Sequence, residues 1–188
     1  MNSAERYWGR SDVKLSDAGI WQAEKLRDRL AVERFDAVYS SDLERAVATA
    51  EIIASNHQLA VITCAELREV NFGQLEGLTF SEICQLYPEV ARSWVERNPQ
   101  LKYPGGESLI EFNKRVSKFL NKLEGHAIEE TMLIVAHAGV LRTLVCQLLG
   151  INLQRRWQIR VDLASLSILE TNQQGAVLVL LNDVSHLT

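Results

Sequence analysis

Hydrophobic positions along the chain switch repeatedly between a helical period and short apolar runs. Ile20, Ala23, Leu26 and Leu30 recur at three- and four-residue spacing behind Ser16, a capping residue, and predict a helix to about Ala31. Residues 35–40 read as a short buried strand, and Ser41 or Asp42 is the expected cap of a helix to about Ser55, with Val47, Ala50, Ile52 and Ile53 on its apolar face. A second strand is expected at 60–63, an irregular loop at 67–77 where two glycines interrupt any period, and helices at 79–86 and 88–97. The Pro104-Gly105-Gly106 turn leads to Ser108, the expected cap of a helix to about Leu123. Residues 132–136 form a continuous apolar run, the signature of a central strand covered on both faces, and a helix over 140–149 follows. Two last runs, 165–170 and 176–181, flank a polar turn and predict a hairpin. The alternation of helix and strand predicts an α/β fold, with helices on the faces of a sheet. No repeat or linker divides the chain, so residues 1–188 are expected to form a single domain.

Composition narrows the function. At 188 residues, 47% hydrophobic and 23% charged, the chain can bury a core without staples. A net charge of −4 with dispersed basic residues excludes the broad positive footprint of a nucleic-acid binder. The densest basic spot, Arg155, Arg156 and Arg160 around Trp157, reads as a solvated surface, with the border of an anionic-substrate site as the alternative. Cys64, Cys84 and Cys146 form no CxxC pair and leave one thiol over in any disulfide scheme, which suits a reducing compartment. The segment from Asn2 to Lys14 is too polar for a secretory signal, and no apolar run is long enough to span a bilayer, so a cytoplasmic protein with no membrane partner is expected. The Trp94 and Trp157 regions are candidates for a homodimer contact.

Three positions carry candidate chemistry. His137 is expected at the carboxyl end of a central strand and just before a helix N-terminus, where α/β sheets bind anions; Ala138 and Gly139 leave room there for close approach. Arg45 is placed one turn into a helix that follows a strand, where a guanidinium can grip phosphate in a bidentate fashion; pairing with Asp42 on an exposed face is the alternative. Glu69 lies in a loop held down by apolar residues, where partial burial would raise its pKa toward that of a useful proton donor, and Glu76 competes with it on chemistry alone. His57, His126 and His186 read as surface residues. No two histidines have metal-ligand spacing, and neither a GxxxxGK nor a GxSxG motif is present, so neither a metal nor another cofactor is expected.

Taken in order, Arg6-Tyr7-Trp8-Gly9-Arg10-Ser11-Asp12, Leu15-Ser16-Asp17-Ala18-Gly19, the helix start at Ser41, the Glu69 loop, Pro104-Gly105-Gly106-Glu107-Ser108 and Val135-Ala136-His137-Ala138-Gly139 resemble the histidine phosphatase superfamily, the phosphoglycerate-mutase-like group. The resemblance implies a three-layer sandwich around a mostly parallel sheet. It also implies a metal-free phosphomonoesterase that passes through a phosphohistidine and acts on a small phosphorylated metabolite. By the same resemblance Glu69 is the proton donor, His137 and Arg45 hold the phosphoryl oxygens, the Ala138 amide adds to that cradle, and Asn2 is a further phosphate ligand. Within the family, the Arg-Tyr-Trp-Gly start, the Pro-Gly-Gly-Glu-Ser turn and Val161-Asp162-Leu163-Ala164-Ser165-Leu166 are most similar to alpha-ribazole phosphatases of cobalamin biosynthesis. Broad-specificity phosphatases, phosphoglycerate mutases and non-catalytic phospholigand-binding proteins are the alternative readings.

The family's Arg-His-Gly segment, which carries the attacking histidine, would stand immediately before Asn2. The chain as written therefore begins after its expected first strand. On this reading the sheet has unprotected strand edges, and a lower stability than that of a longer chain is expected.

Overall fold

The computed structural model describes residues 6–188; Asn2 lies outside the described residues. Helix α1 (Asp17–Leu30) begins where Ser16 accepts the Gly19 amide, as its sequence predicts. Strand β1 (Ala37–Ser41) leads into α2 (Glu44–Ala54), and β2 (Val61–Cys64) follows. The cap of α2 differs from the expectation. Leu43 occupies the N-cap position without a side-chain bond, and Asp12, from the loop before α1, accepts the Glu44 amide at 2.7 Å. Ser41 and Asp42 are engaged elsewhere: Ser41 Oγ accepts the Leu43 amide, and Asp42 pairs with Arg68.

Beyond β2 the loop contains two short 3-10 turns, Ala65–Leu67 and Gly73–Leu75. Helices α3 (Phe80–Leu86), α4 (Pro88–Val95) and α5 (Leu109–Leu123) come next. Thr79–Glu82 and Ser108–Glu111 form reciprocal capping boxes at the starts of α3 and α5. Strand β3 (Met132–Val135) runs into α6 (Ala138–Leu148), a 3-10 helix follows at Leu153–Gln158, and β4 (Leu166–Asn172) and β5 (Gly175–Asp183) close the fold as a hairpin.

Among the described residues, three parallel strands are ordered β2-β1-β3, and alternation along them sorts the side chains into two cores. Val38 and Leu133 face α1 and α2, packing with Leu26, Leu30, Ala50 and Ile53. Tyr39 and Ile134 face the opposite way, against Phe112, Val116 and Phe119 of α5 and Val140 of α6. This is the three-layer α/β arrangement. Strand β3 departs from its predicted setting: among the described residues it pairs only with β1, and of its four residues only Leu133 is buried. A continuous apolar run signals lack of polar neighbours on the sheet faces, and it carries no information about how many edges are paired.

Candidate phosphoryl-transfer site

The carboxyl ends of β1 and β3 bring three elements together. The first is the turn into α6. His137 is the N-cap residue of α6, and its Nε2 lies 2.9 Å from Ser41 Oγ at the end of β1. Ser41 is fully buried and already accepts the Leu43 amide. Burial and the neighbouring guanidiniums of Arg45 and Arg115 push the His137 pKa down to about 3, so the imidazole is neutral at physiological pH.

The second element is the Glu69 loop. Glu69 Oε2 accepts the Gly139 amide at 3.0 Å and Oε1 accepts the Val70 amide at 2.9 Å, so the carboxylate caps the first turn of α6. Protein crowds this group closely, and the resulting desolvation raises its pKa against the opposing pull of those two amides and of Arg45. Gly139 is what makes the contact possible, since a Cβ there would stand 2.4 Å from Glu69 Oε1. The Ala138 amide, next to the cap, is one of the free N–H groups that the start of every helix presents.

Third is the loop of residues 9–12. Arg45 Nη2 donates to Gly9 O at 2.7 Å and Nη1 to Ser11 O at 2.9 Å, while Asp12 caps the helix that carries Arg45. The expected alternative, an Arg45–Asp42 pair on an exposed face, does not form. Burial lowers the Arg45 pKa, with Glu69 opposing that shift, which places the guanidinium and the carboxylate in one electrostatic environment. Glu76, the competing acid, is occupied as a clamp: it accepts from the amides of Gly9, Arg10 and Phe72 and from Ser11 Oγ.

Several supporting groups were not singled out in the sequence. Arg115, on α5, donates to Glu66 O and Arg68 O at 2.8 Å and pairs with Glu107 at 2.6 Å, holding the backbone just before Glu69. Glu107 Oε1 also accepts the Asn71 amide, so it braces both sides of the same loop. Arg10 approaches Glu107 Oε2 at 3.5 Å. These partners come from four separate stretches of chain, and no local spacing announces them.

The other histidines lie away from the site, though none is a plain surface residue as expected. His57 packs edge-on to Phe35, His126 lies between Tyr39 and Glu130, and His186 Nε2 meets Ala164 O. Among the described residues, His137 is the single histidine at this site. The basic cluster also needs correction: Arg156 is only 6% exposed, with its guanidinium 5.0 Å over the Trp157 ring, whereas Arg155 and Arg160 remain on the surface. Trp94, offered as an exposed dimer contact, is half-buried and stacks on Phe72.

A parallel sheet with a histidine, an arginine and a helix-capping glutamate gathered at its carboxyl end is the setting in which open α/β folds place their ligands. The sequence matches the histidine phosphatase superfamily (branch 1) over residues 1–184, and the chain belongs to that superfamily. It is 35% identical over 186 residues to phosphoserine phosphatase 1 of Hydrogenobacter thermophilus, covering 99% of this chain and 88% of that protein. It is 34% identical over 176 residues to the adenosylcobalamin/alpha-ribazole phosphatase of Escherichia coli, covering 94% and 87%. Among solved structures, the alpha-ribazole phosphatase of Shigella flexneri superimposes with a TM-score of 0.88 at 34% identity, covering 95% of this chain and 88% of that one. A mycobacterial glucosyl-3-phosphoglycerate phosphatase holding inorganic phosphate superimposes with a TM-score of 0.85 at 25% identity, covering 98% and 94%. Among the described residues, no helix is long and apolar enough to cross a membrane.

Proposed function

We propose that the protein is a metal-independent phosphomonoesterase acting through a phosphohistidine, with alpha-ribazole 5'-phosphate as substrate. The observation that carries this reading is Glu69 seated on the α6 N-terminus with its pKa raised by burial, beside the His137–Ser41 pair and Arg45. A protonated Glu69 gives its proton to the leaving alcohol oxygen as a histidine nitrogen takes the phosphoryl group. The resulting carboxylate then accepts a proton from the water that attacks phosphorus, and orthophosphate leaves with the histidine restored. Through both steps Arg45 and the free N-terminal amide of Ala138 face the equatorial oxygens.

Neutral His137 acts here as a hydrogen-bond donor. Ser41 Oγ already accepts the Leu43 amide, and its own proton is available to His137 Nε2, which leaves Nδ1–H for a phosphoryl oxygen. The nucleophile in this reading lies upstream of the described residues, in the segment that the family resemblance places just before Asn2. Asn2 itself is proposed as a further phosphate ligand.

Substrate assignment rests on the relatives. The alpha-ribazole phosphatases of E. coli and S. flexneri support the first choice. The phosphoserine phosphatase of H. thermophilus, matched over 99% of this chain, supports O-phosphoserine as a second. The test is turnover of alpha-ribazole 5'-phosphate, O-phosphoserine and p-nitrophenyl phosphate, without added metal, by this chain and by a version extended upstream through any encoded Arg-His-Gly segment. Turnover by the extended protein that is lost on Arg45→Ala or His137→Ala supports the phosphatase reading, and the preferred ester identifies the substrate. Phosphate binding by both proteins with turnover by neither would replace it with a phospholigand-binding role.

A further inference from the structure

We propose that the cleft between the end of α4, the start of α5 and the 3-10 helix Leu153–Gln158 is a second ligand site, one that takes a small aromatic molecule bearing a carboxylate. Trp94, Arg97, Asn113, Leu153, Arg156 and Trp157 contribute to its lining. Ser41, Arg45, Glu69 and His137 do not, so this is a different place from the phosphoryl-transfer site.

The charge of the cleft is one-sided. Its lining includes two arginines and no aspartate or glutamate. Two other arginines of the fold have answered charges: Arg115 meets Glu107 and Arg68 meets Asp42. Arg156 is different. It is 6% exposed, donates through Nη1 to Leu153 O at 3.0 Å, and has no carboxylate within 4.0 Å among the described residues. Burial lowers its pKa, with Tyr103, Cys146 and, more weakly, Glu69 opposing that shift without contacting the guanidinium as an ion pair. A carboxylate in the cleft would answer that charge with bidentate hydrogen bonds, the strong geometry for a guanidinium.

The walls select an aromatic body. Trp157 is 39% exposed and lies beneath the Arg156 guanidinium, and Trp94 is fixed by stacking on Phe72 at 5.7 Å. The enclosed space is about 40 Å³, several times the roughly 10–15 Å³ that one water needs on the same measure. That admits a carboxylate and the edge of a ring, with the rest of the ring lying along the tryptophans.

Benzoate is the probe, added to the intact protein in saturating inorganic phosphate so that the phosphoryl site is occupied. Indole N–H signals are followed by NMR and assigned with Trp94→Phe and Trp157→Phe. Saturable shifts of both indoles are expected, with Trp21 on α1 unmoved, at least tenfold weaker binding of neutral benzamide, and a similar loss in Arg156→Gln. Because Arg156→Gln removes a buried group and could unfold the protein, benzamide on the unaltered chain and Trp157→Ala on the exposed rim supply independent readings. Equal binding of benzamide and benzoate would overturn the anion recognition. An absence of saturable shifts at Trp94 and Trp157 would overturn the site.

Discussion

Gly139→Ala separates the chemistry of the site from the stability of the fold. The added Cβ would fall 2.4 Å from Glu69 Oε1, 3.2 Å from Cδ and 3.3 Å from Oε2, all at the far end of one flexible side chain. The carboxylate therefore swings away and the fold stays. Leaving the Gly139 amide breaks a 3.0 Å charge-assisted bond, worth about 1.5–3 kcal/mol. Replacing a glycine inside a helix with alanine returns about 1 kcal/mol through backbone entropy, so the net cost is about 0.5–2 kcal/mol, a shift in Tm of a few degrees. The catalytic cost is larger, because a displaced general acid forfeits about 10²–10⁴ in rate. An alkyl phosphomonoester, whose alkoxide needs a proton, should lose that full factor in the upstream-extended protein, while p-nitrophenyl phosphate, whose leaving group is stable as an anion, should lose much less. Phosphate binding measured by calorimetry should stay within a few-fold. Equal losses for the two esters, or full activity toward both, would refute the assignment of Glu69 as the proton donor held in place by Gly139.

Four further outcomes follow from the same geometry. Asp12→Ala removes the cap of α2 at Glu44 and should cost about 1 kcal/mol in denaturant unfolding, while loosening the loop to which Arg45 is bonded and weakening phosphate binding; an unchanged midpoint would argue against the cap. Glu76→Gln neutralises a carboxylate that gathers the amides of Gly9, Arg10 and Phe72 and should cost about 2–3 kcal/mol, with faster hydrogen exchange at Gly9 and Arg10 as its signature. For His137, burial together with Arg45 and Arg115 holds the folded pKa down at about 3, against an unfolded value of about 6.5. Between those values the unfolded chain binds the extra proton, so stability is complete above about pH 6.5 and falls as pH drops toward 3, by up to about 1.4 kcal/mol per unit from this group. His137→Asn should flatten that slope by close to one proton in denaturant titrations across pH 4–6 or so, and an unchanged slope would refute it. Bound phosphate, by adding negative charge beside the ring, should raise the His137 pKa in an NMR titration.

Sequence alone determined the order of the elements and pointed to the candidate site residues. Ser16 and Ser108 cap helices through bonds that span three residues, and the closing hairpin is local, so these could be read from spacing, although Thr79 is a cap and not the first helical residue and the turn narrows from 171–175 to the two residues between Asn172 and Gly175. His137, Arg45 and Glu69 could be named because each falls at a strand–helix junction or in a glycine-rich loop. Contacts made at a distance in sequence were decided by the tertiary structure. Asp12 caps α2 across 32 residues, Arg115 holds the backbone of Glu66 across 49, and Glu69 reaches Gly139 across 70. The burial of Arg156 followed the same rule: an arginine beside a tryptophan reads as surface until three separate segments close around it. Helical and strand periods record which face of an element meets the core, whereas the pKa of a carboxyl or an imidazole depends on which other elements arrive there, and only the folded chain brings them together.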